Sequence, residues 1–385
     1  MVSSLLPEMI TNILSWLPVK DVLCCRSLSK PWCSIIDKLS FIEMHLKSSM
    51  EIYSNRGFVP TGPYSFCKWF NYNTDFIPPI DFVCRSKQGN PTVGTCNGLL
   101  AILNNINGDK QDIALWNPFT RRYKMLPELE IGFYDFACYS NNIYGFGYDP
   151  ISDDIKFVRI IFMYKGVMLV LSFEVHIYSL KTKIWRRVDD FPYKLDNYNV
   201  HFSDGILVNY TLHWLLLPKQ KSDVPELIVA FDLVAEKFLE VPLPDYENVK
   251  EFEMEMGTLG GKYLYLYYCK LGCWDLINSW EINIWVMKEN SWTRLASLPA
   301  LYSNIKPTIP FCYKGNQILF NIHNEKTLHL FDLETHSFGK LFHSVNISNL
   351  RPISLQSLVG LNDGDWEIVR NKKKWNNGVI SPNFK

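Results

Sequence analysis

The chain has 385 residues, with 39 Lys and Arg set against 39 Asp and Glu. Zero formal net charge removes the clustered cationic footprint by which nucleic-acid binders displace counterions, so no nucleic-acid partner is expected. A hydrophobic content of 47% excludes global disorder, and an aromatic content of 15% favours strands, because flat rings pack well on a pleated surface.

The opening stretch MVSSLLPEMITNILSWLPVK lacks a basic leading region and carries Glu8 inside its apolar segment, which is not the pattern of a secretory signal. Apolar runs such as Gly166 to Phe173 fall far short of the roughly 20 residues needed to span a bilayer, so no membrane partner is expected. The ten cysteines form no CxxC pair and keep no regular spacing. Buried free thiols of a reducing compartment account for them, with a zinc site as the alternative. The expected location is cytoplasmic and/or nuclear.

Residues 1–48 read as helical. Pro7 suits a first helical position, and Glu8 complements the dipole in the first turn. Met9, Ile10, Ile13, Leu14 and Leu17 recur at three- and four-residue steps, giving one apolar stripe. Pro18 ends this helix, Asp21 caps a second one carrying Val22, Cys25, Arg26 and Ser29, and Pro31 breaks that one in turn. Trp32, Ile35, Ile36 and Leu39 form a third stripe. Three short helices in so few residues bury little core alone, so they must lean on a partner or on the rest of the chain.

Leu6-Pro7, Ile13-Leu14, LPVKDVL (Leu17 to Leu23), Lys30 with Trp32, and SFIEMHL (Ser40 to Leu46) resemble an F-box in order and spacing. One departure is Leu28-Ser29-Lys30-Pro31-Trp32, where plant F-boxes commonly read Val-Cys-Lys-x-Trp. The resemblance implies docking of a Skp-type adaptor and, through it, a cullin–RING ligase. Its candidate contact residues are Leu6, Pro7, Ile10, Ile13, Leu14, Leu17, Pro18, Val22 and Leu23.

From about residue 50 helical periodicity gives way to short strands separated by Gly, Asn, Asp and Pro. An eight-residue frame returns as FNYNTDFI from Phe70, WNPFTRRY from Trp116, YSLKTKIW from Tyr178, FDLVAEKF from Phe231, WVMKENSW from Trp285 and FDLETHSF from Phe331. The first residue of each frame ends a strand, a polar turn reverses the chain, and the eighth residue begins the next strand. Spacings of 46, 62, 53, 54 and 46 residues are those of a propeller with four strands per sheet. A further frame, YDPISDDI from Tyr148, fits inside the longest spacing as another hairpin of one sheet.

GTCNGLLAI (Gly94 to Ile102), LWNPFTRRYKMLP (Leu115 to Pro127), YGFGYDPISDDIKFVRI (Tyr144 to Ile160) and FEVHIYSLKTKIWRRV (Phe173 to Val188) resemble the plant F-box-associated domain, grouped with kelch-like propellers. Kelch repeats usually carry a Gly-Gly doublet, and here only Gly260-Gly261 does. The expected architecture is a small all-α F-box of three helices at 1–48 and an all-β kelch-like propeller of about six blades at 49–361. A polar C-terminal tail follows at 362–385. The helical and propeller parts are expected to survive separation before Ser49. Glu51 to Val59 or Ile353 to Leu361 is expected to clasp the ring closed.

Nucleophile-elbow, Walker, dinucleotide and HExxH motifs are absent from the sequence. His323 with His329, Asp153-Asp154 and Asp189-Asp190 are the nearest approaches to a metal or carboxylate pair, and strand or turn positions explain them more simply. No catalytic residue, metal or cofactor is expected. Two classes of function stand: a ubiquitin-ligase receptor presenting a protein target on its propeller, or a propeller enzyme of glycosidase or oxidase class with a helical leader. The stretches Met125 to Tyr144 and Pro218 to Glu226 are the loop-rich candidates for target contact. The F-box pattern favours the receptor.

Overall fold

The structure, a computed structural model, describes residues 7–51, 57–60, 70–71, 92–105, 111–129, 138–165, 169–188, 191, 200–203, 205–218, 227–245, 252–259, 262–270, 281–298, 307–314, 317–322, 327–343, 350–353, 355–361 and 364–368. The chain forms two compact units, Met1–Glu128 with Arg351–Lys385, and Leu129–Leu350. Among the described residues the strands form six sheets.

The first unit opens with α1 (Pro7–Ser15), α2 (Val19–Leu28), α3 (Lys30–Ile36) and α4 (Leu39–Glu51). Its strands are β1 (Gly57–Pro60), β2 (Phe70–Asn71), β3 (Thr92–Cys96), β4 (Leu99–Asn105), β5 (Gln111–Asn117) and β6 (Arg122–Met125). The second unit supplies β7 (Cys138–Asp149), β8 (Asp154–Lys165), β9 (Leu169–Ser179), β10 (Ile184–Val188), β11 (Val200–Phe202), β12 (Ile206–Val208), β13 (Thr211–Pro218), β14 (Leu227–Asp232) and β15 (Lys237–Val241). It continues with β16 (Phe252–Leu259), β17 (Tyr263–Lys270), β18 (Glu281–Lys288), β19 (Ser291–Leu298), β20 (Pro307–Lys314), β21 (Gln317–Ile322), β22 (Thr327–Asp332) and β23 (Ser337–His343). β24 (Leu350–Ile353) and β25 (Glu367–Ile368) follow.

The helical region holds four helices where three were expected. SFIEMHL belongs to α4, whose Phe41, Ile42, His45, Ser48 and Ser49 are buried. The boundary expected before Ser49 therefore falls inside a helix that runs on to Glu51. β24 pairs with β1 in the order β2-β1-β24, which brings Gly57 to Val59 of the first predicted clasp to a sheet that holds only Ile353 of the second. The expected tail is not wholly free: Trp366 is buried, and β25 adds to β6 with Glu367 opposite Tyr123. Residues 369–385 of the expected tail, with the basic run Arg370 to Lys374, lie outside the described residues.

The recurring frame is a hairpin with its own turn chemistry. Its first and eighth residues face each other in Trp116↔Tyr123, Tyr148↔Ile155, Tyr178↔Trp185, Phe231↔Phe238 and Phe331↔Phe338. The second residue accepts backbone N–H groups two or three positions on. Asn117 accepts from Phe119 and Thr120, Asp149 from Ile151 and Ser152, Ser179 from Thr182, Asp232 from Val234 and Ala235, and Asp332 from Glu334 and Thr335. The sixth residue carries a positive φ every time: Arg121, Asp153, Lys183, Glu236 and His336. A short polar acceptor at the second place thus closes a four-residue turn whose last member is left-handed. The frame at Trp285 differs. Its hairpin turns on Glu289 and Asn290 alone, both with positive φ, so Trp285 faces Arg294, and a bulge follows between Ile284 and Trp285. The frame at Phe70 has only Phe70 and Asn71 among the described residues.

In the second unit four sheets pack in succession, and inner strands bury apolar residues on both faces, whereas β10 and β15 bury none. Val158, Ile160, Val175 and Ile177 meet Leu212, Trp214, Val229 and Phe231. The other face of that second sheet, with Leu215 and Ile228, meets Met254, Met256, Leu264 and Leu266. Tyr265, Tyr267, Ile284 and Val286 then meet Ile318 and Phe331. Period-two alternation with both faces apolar is what a strand between two sheets requires.

His213 on β13 is 4% exposed, with Nδ1 3.4 Å from Ile206 O. Burial drives its pKa down from 6.5 to about 4, against the backbone contacts at Ile206 and Thr211. The unfolded chain therefore binds the extra proton first, and stability is lost as pH falls from about 6.5 toward 4, by roughly 3 kcal/mol in all. An NMR titration should place the His213 midpoint near 4, and replacing His213 by Gln should remove this part of the acid sensitivity.

Candidate functional site

The four short helices are tied by a few specific contacts. Arg26 grips Asp37 through two hydrogen bonds, Nε to Oδ1 at 2.6 Å and Nη2 to Oδ2 at 2.8 Å. The hydrogen bond from Arg26 holds the Asp37 carboxyl below its ordinary range, despite partial burial. Ser29 caps α3 through Trp32 N, and Cys33 Sγ donates to Asp37 Oδ2 at 3.3 Å. His45 is fully buried, with Nε2 2.9 Å from Leu17 O, so Nε2 carries the proton and Nδ1 faces the Ser49 hydroxyl. Burial lowers the pKa of this imidazole, and the neutral ring pins the end of α1 to α4.

The candidate contact residues divide sharply. Leu14 and Val22 lie in the helical core with Val19, Ile36, Phe41 and Ile42, and Ile10, Leu17 and Leu23 are half-buried against it. Ile13 and Pro18 are exposed, Pro7 opens α1, and Leu6 lies outside the described residues. Two exposed apolar side chains were missing from the candidate set: Met9 of α1 at 51% exposure and Trp16, the residue after its end, at 47%, on either side of Ile13 at 53%. Met9, Ile13 and Trp16 stand at i, i+4 and i+7, one face of a helix. Ile10, Leu14 and Leu17 form a parallel row one position on, and that row turns inward. The signal was present in the sequence as two apolar rows on one short helix, since its own core can take only one.

Two of the residues considered for an enzyme hold turns together. Asp153 accepts from Tyr148 OH at 2.6 Å, and Asp154 accepts from Lys181 N at 2.9 Å. His329 is buried on β22, while His323, Asp189 and Asp190 lie outside the described residues. Of the loop-rich stretch Met125 to Tyr144, the second part is strand β7. Among the described residues no helix is long and apolar enough to cross a membrane.

A family model described as the F-box domain matches residues 2–44, and one described as the F-box associated beta propeller domain matches residues 77–351. The chain belongs to the F-box-associated β-propeller family. Its relatives include F-box protein CPR1 of Arabidopsis thaliana, 28% identical over 87% of this chain and 83% of that protein. A second F-box protein of the same plant is 28% identical over 98% of both chains. An F-box/kelch-repeat protein is 29% identical over 78% of this chain and 81% of its own length. The F-box match covers α1, α2, α3 and the start of α4, so the exposed row Met9–Ile13–Trp16 is a feature of the F-box itself.

Proposed function

We propose that this F-box protein is the substrate-recognition subunit of a Skp–cullin–F-box ubiquitin ligase. The F-box binds a Skp-type adaptor, the adaptor docks on a cullin–RING scaffold, and the propeller holds a protein target. The chain itself contributes no catalytic group. Ubiquitin transfer follows from proximity, because a tethered lysine meets the charged ubiquitin donor at high effective concentration. The reading places the protein in the cytoplasm and/or nucleus.

The observation that carries it is the second apolar row, Met9 and Ile13 of α1 with Trp16 in the turn that closes it. Met9, Ile13 and Trp16 each stay about half exposed beside a filled core, and large apolar groups aligned along one helix face are what a partner helix buries. The adaptor surface therefore centres on Met9, Ile13, Trp16 and Pro18, and Leu14 and Val22 support it from behind.

Ile13→Asp combined with Trp16→Asp should weaken capture of a Skp-type adaptor by at least about 100-fold, as expected for losing two apolar anchors. Helical circular dichroism and thermal midpoint should stay at wild-type values, since both side chains are exposed. Undiminished adaptor capture would overturn the proposal. Leu14→Asp is the contrasting case, because it places a charge in the helical core and should unfold α1–α4.

A further inference from the structure

The helical core is completed by residues far away in the sequence. Leu358 is fully buried and Leu361 nearly so, in the same apolar cluster as Leu14, Val19, Val22, Ile36, Phe41 and Ile42. Val19 N donates to Gln356 Oε1 at 3.3 Å, a contact spanning 337 residues. On its other side the segment 355–361 is bound to the sheet of β3–β6. Asn117 Nδ2 donates to Ser357 O and to Val359 O, each at 2.9 Å. Gly98, at φ +77° in the β3–β4 turn, approaches so closely that an added Cβ would lie 2.3 Å from Ser357 Cβ. The segment is then locked behind itself. Gly360, also at φ +77°, lies under the Trp366 ring, and Tyr123 OH donates to Glu367 Oε2 at 2.5 Å.

We propose that residues 355–361 are a strut that makes the docking competence of the F-box conditional on their seating between α1–α4 and the β3–β6 sheet. Helices of 9, 10, 7 and 13 residues are too short to persist singly, and a core of this size is marginal without outside help. Two of its eight buried apolar residues arrive with the strut. During synthesis α1–α4 are made first and their core is closed only after the strut has been made and placed. A chain whose strut is absent or unseated would then hold a target without engaging the ligase.

Hydrogen exchange on the full-length protein, combined with adaptor capture, tests this. Leu358→Ala should speed exchange of α1–α4 amides at least tenfold, while β7–β10 amides keep wild-type protection, and adaptor capture should fall in parallel. Leu358→Met, which conserves volume, should keep both. If Leu358→Ala does not accumulate as folded protein, Leu361→Ala and Gln356→Ala provide the same readouts. Unchanged protection of α1–α4 overturns the strut, and so does an equal loss of protection in β7–β10. The capture arm rests on the adaptor reading, and Ile13→Asp/Trp16→Asp separates the two. If that variant keeps both helix protection and adaptor capture, the adaptor reading fails while the strut stands on the exchange result.

Discussion

Asn117→Asp is expected to destabilise the first unit by roughly 3–5 kcal/mol, the scale for leaving a buried charge without a partner. Asn117 is completely buried, and all four of its contacts are to backbone groups. Its Oδ1 accepts from Phe119 N at 2.9 Å and Thr120 N at 3.3 Å, as Asp149, Asp232 and Asp332 do in their frames. Its Nδ2 has a second task, donating to the carbonyls of Ser357 and Val359. Aspartate would keep the turn and turn a bare oxygen toward two carbonyl oxygens, where it is repelled if charged. The converse change is mild. Asp232 only accepts, from Val234 N and Ala235 N, in an exposed turn, so Asp232→Asn should change stability by less than about 1 kcal/mol. Denaturant unfolding of the two variants at neutral pH checks the contrast. Equal effects would show that the donor role of Asn117 contributes nothing.

Lys156→Met is the second large effect, again about 3–5 kcal/mol, now in the second unit. Lys156 is 5% exposed, and its ammonium gives its three protons to Asp149 Oδ2 at 2.7 Å, Leu233 O at 2.6 Å and Glu236 Oε1 at 2.8 Å. Arg186 grips the same Glu236 carboxylate. The lysine thereby joins the β7–β8 turn to the β14–β15 turn of the neighbouring sheet. Burial alone would push the Asp149 carboxyl up, but hydrogen bonds from Lys156, Ser152 and the backbone outweigh it and hold the pKa at about 2. Because the folded value lies below the ordinary 3.8, Asp149 stabilises the fold at neutral pH. That contribution is lost as pH falls from about 3.8 toward 2. Methionine fills the same volume, leaves Asp149 without a counter-ion and strands the Leu233 carbonyl. Adding Asp149→Asn to Lys156→Met should recover part of the loss, and a double-mutant cycle on thermal unfolding measures the coupling. Strict additivity would show that the pair is not coupled.

Much of this protein is decided locally and is therefore legible in the sequence. Asx-type closure of the frame hairpins needs only a short acceptor at the second place and a residue tolerating positive φ at the sixth, so the turns repeat wherever that octet recurs. The departure at Trp285 comes from Glu289 and Asn290 forming a tighter turn, a choice that flanking strand register makes and the octet does not record. Likewise, steps of three and four residues suffice to make α1 a helix. They do not say which of its two apolar rows points inward. Met9, Ile13 and Trp16 are as apolar as Ile10, Leu14 and Leu17, so local hydrophobicity is degenerate between the two faces. The tertiary structure breaks the tie by gathering Val22, Ile36, Phe41, Leu358 and Leu361 into one core with Leu14, which leaves the other row in water. The same long-range contact explains why a cut before Ser49 looked harmless in the sequence: nothing within 300 residues of α1 reports that its core is completed by Leu358.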